Sequence, residues 1–132
     1  MCIRDRPSDA IKELYEEKIP MDRVTMSSDA NGCMSVALPD GSQKQLAVVP
    51  DSFHEEVREA ILAGVPLEIV TKVVSTNPAQ ANGLYPQKGC LRVDSDADFI
   101  VYDDDYAVDT VVAKGKIMVQ AGQVLVKGTF ER

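Results

Sequence analysis

Histidine and cysteine are scarce in this 132-residue chain, and tryptophan is absent. One histidine, His54, and three cysteines far apart in sequence offer neither a histidine-rich metal site nor the C-x-x-C spacing of structural zinc. For the same reason we expect no disulfide framework and a reducing cytoplasm as the compartment. A Ser-His-Asp triad would have to include His54. That residue begins a predicted helix among acidic neighbours, and we expect it to be a solvated surface group.

Positive charge is also in short supply, with 14 Lys and Arg against 21 Asp and Glu and a net charge of -7. This balance argues against nucleic acid or an anionic membrane as a partner. Apolar runs stay well below the roughly 20 residues of a membrane span, and we expect no secretory leader. Aromatic residues make up 5% of the chain, so the core must be aliphatic.

Helical spacing dominates the first part of the chain, which we delimit as residues 7–84. Residues 1–6 continue no pattern that follows, and we expect them to be a non-native leader. A hairpin is predicted within 34–49, because two apolar stretches flank the turn-forming Pro39-Asp40-Gly41-Ser42. Helices are predicted over Pro7–Lys18, Ser52–Ala63 and Leu67–Val74, with a short helical turn around Asn77–Ala81.

From Tyr85 onward the helical spacing disappears, so residues 85–132 form a separate β part. The two glycines Gly115 and Gly122 separate its later strands, and the last two strands should form a hairpin around Ala121-Gly122. The predicted strands are Leu91–Val93, Phe99–Tyr102, Thr110–Ala113, Lys116–Gln120 and Gln123–Lys127.

An acid follows a β-branched run near the start of the chain. A short strand is predicted over Arg23–Ser28, with Val24 and Met26 in the core, and Asp29 comes directly after it. Barrel enzymes place catalytic groups at the carboxyl ends of their strands in this way. Taken alone, the Ser-Ser-Asp-Ala-Asn-Gly stretch favours a strand followed by a capped turn, and the motifs further along the chain shift the balance towards a catalytic acid. We expect the Asp29 carboxylate to be exposed in a concavity.

A second acidic cluster, Asp94-x-Asp96-x-Asp98 with Asp105 further on, has the spacing at which a calcium loop begins and ends. The sixth position of such a loop requires glycine for its sharp turn, and this chain has Phe99 there. The interior of the loop would be an apolar strand. The cluster therefore favours a polar turn that leads into a buried strand.

Several short motifs follow one another in the second half of the chain, namely Asn77-Pro78-Ala79, Lys88-Gly89-Cys90-Leu91 and Asp96-Ala97-Asp98. In this order they resemble the carboxyl-terminal third of the amidohydrolase superfamily. Within it, the stretch from Val24 to Gly32 and the ending Val126 to Glu131 are most similar to β-aspartyl (isoaspartyl) dipeptidases.

This resemblance implies an α/β fold, a C-terminal fragment of a metal-dependent (β/α)8 barrel followed by part of a small β-sandwich. Residues 7–84 would hold the last barrel strand and helices, and residues 85–132 the distal sandwich strands. Asp29 would touch the more buried metal of a zinc pair and pass a proton from the bridging water to the leaving amine. The implied substrate is a small β-aspartyl peptide, and we expect a homo-oligomer in the full-length protein.

Two positions depart from that family pattern. Cys33 stands where the family usually has a hydroxyl residue that helps to hold the substrate carboxylate, and a thiol is the weaker donor. Asp94 stands where the family prefers glycine, a mild change because Asp tolerates left-handed turns.

The remaining metal ligands of the family have no counterpart in this chain, so we expect the 132 residues alone to be inactive. Two alternatives stay open. One is another amidohydrolase, such as a cyclic-amide hydrolase, and the other is a non-catalytic acidic interaction module.

Overall fold

Helices and strands are combined in this chain, for which a computed structural model describes residues 6–29, 33–47 and 52–127. The helices are α1 (Pro7–Glu16), α2 (Ser52–Leu62), α3 (Leu67–Thr71) and α4 (Asn77–Ala81). The strands are β1 (Cys33–Ala37), β2 (Gln43–Ala47), β3 (Phe99–Tyr102), β4 (Val108–Ala113), β5 (Lys116–Gln120) and β6 (Gln123–Val124). The predicted α/β content is confirmed.

Helix α1 begins with Pro7, whose missing N–H costs nothing in the first turn. It ends at Glu16, two residues before the predicted end. Lys18 adopts a left-handed conformation with a φ of 58°, and the N–H of Ile19 bonds back to the carbonyl of Leu14 at 3.0 Å. Such a left-handed residue is a common way to close a helix.

Helix α3 continues into α4 through a π-helical turn, Lys72–Thr76, rather than ending at Val74 as predicted. In this turn the N–H of Asn77 bonds to the carbonyl of Lys72, five residues back. The next residue, Pro78, has no N–H to offer. The carbonyl of Val73 is therefore available to a partner outside the helix.

The core lies among the helices and the segment that follows α1. Its members are aliphatic, as the low aromatic content requires, and are Ile11, Met21, Val57, Ala60, Val65, Val70 and Val73. Val24 and Met26 pack against this cluster as partly buried residues, which confirms their predicted place. Two large apolar side chains of the helices, those of Tyr15 in α1 and Leu67 in α3, lie outside this core and are 37% and 40% exposed.

Four antiparallel strands make up the second sheet, in the order β3-β4-β5-β6. The predicted hairpin around Ala121-Gly122 is confirmed, with Val119 opposite Val124. The last strand is shorter than predicted because the N–H groups of Leu125 and Val126 both turn to the carbonyl of Met118.

The predicted strand Leu91–Val93 is wrong. Leu91 and Val93 are 74% and 92% exposed, and they lie in a loop rather than in a ladder. Side-chain and backbone bonds across that loop fix its shape. The hydroxyl of Ser95 donates to the carbonyl of Pro86 at 2.7 Å, and the N–H of Asp96 donates to the carbonyl of Gln87 at 2.9 Å.

The first sheet is the hairpin β1–β2, which confirms the prediction for 34–49 as far as the chain is described, to residue 47. Gly41 has a φ of 82°, as its turn requires, and Asp40 accepts a hydrogen bond from the backbone N–H of Ser42 at 2.9 Å.

Candidate active site

The segment from Val24 to Asp29 is not a strand, contrary to the prediction for Arg23–Ser28. A short 3-10 turn, Met21–Arg23, occupies its beginning, and Val24 leaves that turn with φ -92° and ψ 134°. A parallel barrel strand needs a neighbour on each side. A helix contacts this segment instead, since its Val73 carbonyl accepts the N–H of Met26 at 3.2 Å.

The side chain of Asn77 fixes the start of this segment. Its amide nitrogen donates to the carbonyls of Met21 and Val24, each at 2.7 Å. Asn77 is 5% exposed, one of only two buried polar residues recorded in the described ranges. Because both partners are carbonyl oxygens, only the NH2 group of the amide can serve them. The amide thereby joins α4 to the backbone that leads to Asp29.

Asp29 ends the described part of this segment, and it is exposed as predicted. Its φ of 49° is left-handed, a conformation that Asp tolerates better than most residues. Its concave setting stays a prediction, because residues 30–32 lie outside the described part of the chain, and two cavities among the described residues lie elsewhere. The larger one is lined by His54 and its neighbours and the other by Tyr15 and its neighbours, and neither includes Asp29.

Cys33, the predicted substrate-binding residue, opens β1, where its backbone is paired with Ala47. Its thiol lies outside the described part of the structure, as do Asn31 and Gly32, so the predicted contact with substrate stays a prediction.

His54 is not the solvated surface group that the sequence predicts. Its ring is half-buried and makes edge contacts with Phe53 and Tyr102, at centroid distances of 5.8 and 6.4 Å. Nδ1 is buried without a hydrogen-bond partner in the described ranges. Burial lowers the pKa of His54, because the charged imidazolium loses solvation. The acidic neighbours suggested an exposed helix start, whereas the ring of Tyr102, the last residue of β3, lies against the imidazole.

Two carboxylates of the acidic cluster 94–98 pair with one lysine side chain. Lys88 donates to Asp96 at 2.8 Å and also pairs with Asp98. Hydrogen bonds from Lys88 lower the pKa of both carboxyl groups. Asp94 has a φ of 71°, which confirms that it takes the left-handed turn for which the family prefers glycine.

A complete metal site is not formed by the described residues. Over 6–29, 33–47 and 52–127, no group of three or more His, Cys, Asp or Glu residues is placed to hold an ion. Asp29 is a possible ligand by its chemistry, since a carboxylate oxygen suits zinc. One carboxylate does not make a site, so the residues present here do not fit a metal pair by themselves.

The sequence predicts a short helical turn around Asn77–Ala81, but the contact of Asn77 with the Asp29 segment was missed. The sequence contains a signal for such a contact, namely an Asn followed by Pro inside a helical pattern. The Pro lacks a backbone N–H donor, and the Asn side chain next to it supplies amide donors.

The model of the amidohydrolase family matches residues 4–118 of the chain. The chain belongs to the amidohydrolase family. Members of this family are hydrolases and are generally metal-dependent. The predicted resemblance is thereby confirmed.

Among solved amidohydrolase structures, the chain is similar to a β-aspartyl dipeptidase from Fervidobacterium islandicum AW-1 in complex with the β-Asp-Leu dipeptide. The two are 29% identical with a TM-score of 0.76, over 92% of this chain and 32% of that one. An N-acetylglucosamine-6-phosphate deacetylase from Pasteurella multocida, 18% identical with a TM-score of 0.62, shares the fold over 86% of this chain and 34% of that one.

Curated relatives include an allantoinase from Deinococcus radiodurans, 46% identical over 73 residues. That match covers 54% of this chain and 15% of the allantoinase. An L-hydantoinase from Paenarthrobacter aurescens is 48% identical over 46 residues, which are 35% of this chain and 10% of the hydantoinase. The chain thus spans about a third of the length of its solved relatives and less of the curated ones.

Proposed function

We propose that the protein to which this chain belongs hydrolyses β-aspartyl (isoaspartyl) dipeptides, and that Asp29 carries a proton in that reaction. The observation that carries the proposal is the likeness to the β-aspartyl dipeptidase, which extends over 92% of the chain. Asp29, at the end of the Ser27-Ser28-Asp29 stretch, is exposed to solvent. The proposed substrate is a small peptide.

The fold proposed for the whole protein is a (β/α)8 barrel with a small β-sandwich. Residues 7–84 would supply the last barrel strand and its helices, and residues 85–132 would supply sandwich strands. The Val24–Asp29 segment supports this, because its β-branched run followed by an acid is typical of a barrel strand with a catalytic group at its carboxyl end. We also propose a homo-oligomer and a cytoplasmic location for the whole protein. No helix of the described residues is both long and apolar enough to cross a membrane.

Asp29 has the chemistry of a proton shuttle. A carboxylate accepts a proton while water attacks the amide carbon, and the resulting acid donates the same proton to the nitrogen that leaves. Its exposed position at the end of an anchored segment is compatible with contact to a substrate. We further propose Asp29 as a ligand of a zinc pair whose other ligands are supplied by residues outside this chain.

Cyclic-amide hydrolysis is the second candidate, and it has its own supporting observation. The allantoinase and the L-hydantoinase are more identical to this chain than the dipeptidase is, although over shorter stretches. Both reactions open an amide, so Asp29 would serve the same purpose in either.

The deciding experiment uses the complete protein with zinc and compares three substrates: β-Asp-Leu, α-Asp-Leu and hydantoin. Release of leucine from β-Asp-Leu, at a kcat/KM well above that for the other two, supports the proposal. Preferred opening of hydantoin supports the second candidate. Turnover of none of them would leave an interaction module as the better interpretation. The 132-residue chain alone should release no leucine, since its described residues do not complete a metal site.

Replacement of one oxygen tests the role of Asp29. Asp29→Asn in the complete protein should lower kcat by about 10²–10⁴-fold, because an amide cannot carry the proton. The matched control is Asp22→Asn, the same change at an exposed position of the neighbouring 3-10 turn, which should leave kcat unchanged. Near-normal turnover by Asp29→Asn would remove Asp29 from the mechanism.

A further inference from the structure

The contacts between α4 and the Asp29 segment point to a positioning device at the Asn77-Pro78 pair. We propose that Asn77 and Pro78 together set the position of the Asp29 segment, Asn77 by donating two hydrogen bonds and Pro78 by withholding one. The inference deepens the proposed function and rests on it, since the segment matters for catalysis only if Asp29 takes part.

The first part of the device is the amide of Asn77. It donates both of its hydrogens, one to the carbonyl of Met21 and one to that of Val24, at 2.7 Å each. Val24 is also held by its own N–H, which bonds to the carbonyl of Met21 at 3.3 Å. With Asn77 at 5% exposure, water cannot readily replace the amide if it is removed. The direction in which the chain leaves Val24 is therefore set by a side chain of α4.

The second part is the carbonyl of Val73. An ordinary α-helix would use it for the N–H of Asn77, but that N–H bonds instead to Lys72. In the same five-residue register the next donor would be the N–H of residue 78, and proline has none. The carbonyl of Val73 accepts the N–H of Met26 at 3.2 Å. Met26 is three residues from Asp29, so the helix holds the segment at two points.

The π-helical turn makes this second contact possible. A π-helical turn is rare and is frequently found at functional sites. Here it turns one helical carbonyl towards the segment that carries the proposed catalytic carboxylate. A small displacement of that carboxylate is expensive in rate, because a misplacement of about 1 Å can cost about 10²-fold.

Two variants of Asn77 test the amide, both in the complete protein. Asn77→Asp keeps the shape and removes both donors, so two carbonyls would face a carboxylate. Asn77→Ala removes the contact altogether. For the folded fraction of Asn77→Ala we expect kcat to fall by about tenfold or more with KM within about threefold, because the substrate contacts are untouched. Asn77→Asp should lose at least as much.

The control is Asn82→Ala, at the other end of the same helix. Asn82 also donates to a backbone carbonyl, that of Pro78 at 2.8 Å, but it is exposed and this bond stays within the same helical turn. It should leave kcat unchanged.

A purely structural role for Asn77 would reduce the amount of folded enzyme and leave kcat for each folded molecule as it was. Circular dichroism at the assay temperature gives that folded fraction. Hydrogen exchange followed by mass spectrometry gives the local effect, and exchange should rise over residues 21–29 in both Asn77 variants while β4 and β5 keep their protection.

Pro78→Ala tests the second part without altering Asn77. It restores a backbone N–H that competes with Met26 for the carbonyl of Val73, so exchange at Met26 should rise. Unchanged exchange at Met26 in Pro78→Ala would overturn the role of Pro78.

The exchange and activity measurements separate the two proposals. If the complete native protein hydrolyses none of the three substrates, the proposed function fails, whereas the exchange data still show whether Asn77 holds the segment. If the native protein is active and Asn77→Ala keeps its kcat, the positioning role is wrong whatever the exchange data show. Loss of kcat together with raised exchange at 21–29 supports it.

Discussion

Gly89 lies directly against Ala79, so closely that a Cβ built on Gly89 would stand 2.6 Å from the Cβ of Ala79. The carbonyl of Ser75 is 3.0 Å from the same point, and the φ of Gly89 is 80°. The hydroxyl of Thr76 donates to the carbonyl of Gly89 at 2.7 Å. These contacts hold the loop that carries Lys88 against the start of α4, which contains the Asn77-Pro78-Ala79 motif.

Gly89→Ala should destabilise the chain by about 3 kcal/mol, the sum of a left-handed conformation and an overpacked contact. Gly83→Ala is the matched control. Gly83 also has a positive φ, of 67°, but nothing lies within 4 Å of its missing Cβ, so only the conformational cost of about 1 kcal/mol applies. Urea unfolding of both variants gives the comparison. Equal losses at the two positions would show that the contact with Ala79 contributes nothing.

Lys88→Met should destabilise the chain at pH 7 and flatten its response to acid. In the native chain, hydrogen bonds from Lys88 hold the pKa of Asp96 and Asp98 below the ordinary value of 3.8. A carboxyl group with a lowered folded-state pKa adds stability above 3.8 and loses it as the pH falls through the folded-state value.

Urea midpoints between pH 7 and pH 2.5 measure this difference. Lys116→Met removes an exposed lysine from β5 and should keep the native profile. A Lys88→Met profile parallel to the native one would contradict the assigned ion pairs.

His54→Leu should change how stability depends on pH near neutrality. Burial lowers the pKa of His54 below its ordinary 6.5. Between the folded-state pKa and 6.5, His54 is therefore protonated in the unfolded chain but neutral in the folded chain. The native chain should therefore be most stable above pH 6.5 and lose stability as the pH falls through the folded-state value. Because the chain has one histidine, His54→Leu should remove that loss. Urea midpoints at pH 7.5, 6.5 and 5.5 give the test, and an unchanged slope in the variant would place the titration elsewhere.

Cys33→Ser in the complete protein should improve substrate binding. A hydroxyl is a stronger donor than a thiol, and one restored hydrogen bond is worth at most about tenfold in affinity. We expect a lower KM for β-Asp-Leu with little change in kcat, measured by leucine release. Cys90→Ser, a change of the same kind in the loop near Ser95, should leave KM unaltered. A KM for Cys33→Ser that equals the native value would remove Cys33 from the substrate contacts.

Local sequence patterns predicted the elements whose stabilising contacts join residues close together in the sequence. Helix α2, the hairpin β1–β2 and the hairpin β5–β6 lie within a few residues of their predicted bounds, because caps, turn residues and apolar spacing act over short distances. The exposure of Asp29 was predicted in the same way.

Features that depend on distant partners were missed. Residues 23–28 have strand-forming side chains, but no strand forms there in the part of the chain that the structure describes. Leu91–Val93 lies in a loop closed by Ser95. The burial of His54 depends on Tyr102, which is 48 residues away and which local patterns do not bring near it. The contact of Asn77 with Met21 spans 56 residues and was missed for the same reason.

The core described above is concentrated in one half of the chain. All members of its buried cluster precede Pro78, whereas the four-stranded sheet contributes Val112 alone to the buried hydrophobic residues of the described chain. Local free energies of opening follow such burial, so the sheet and the helical half should behave as separate cooperative units. On heating, the sheet should open first and give a calorimetric transition broader than a two-state one. The hydrogen bonds of Asn77 belong to the unit that melts last, so the Asp29 segment should outlast the sheet.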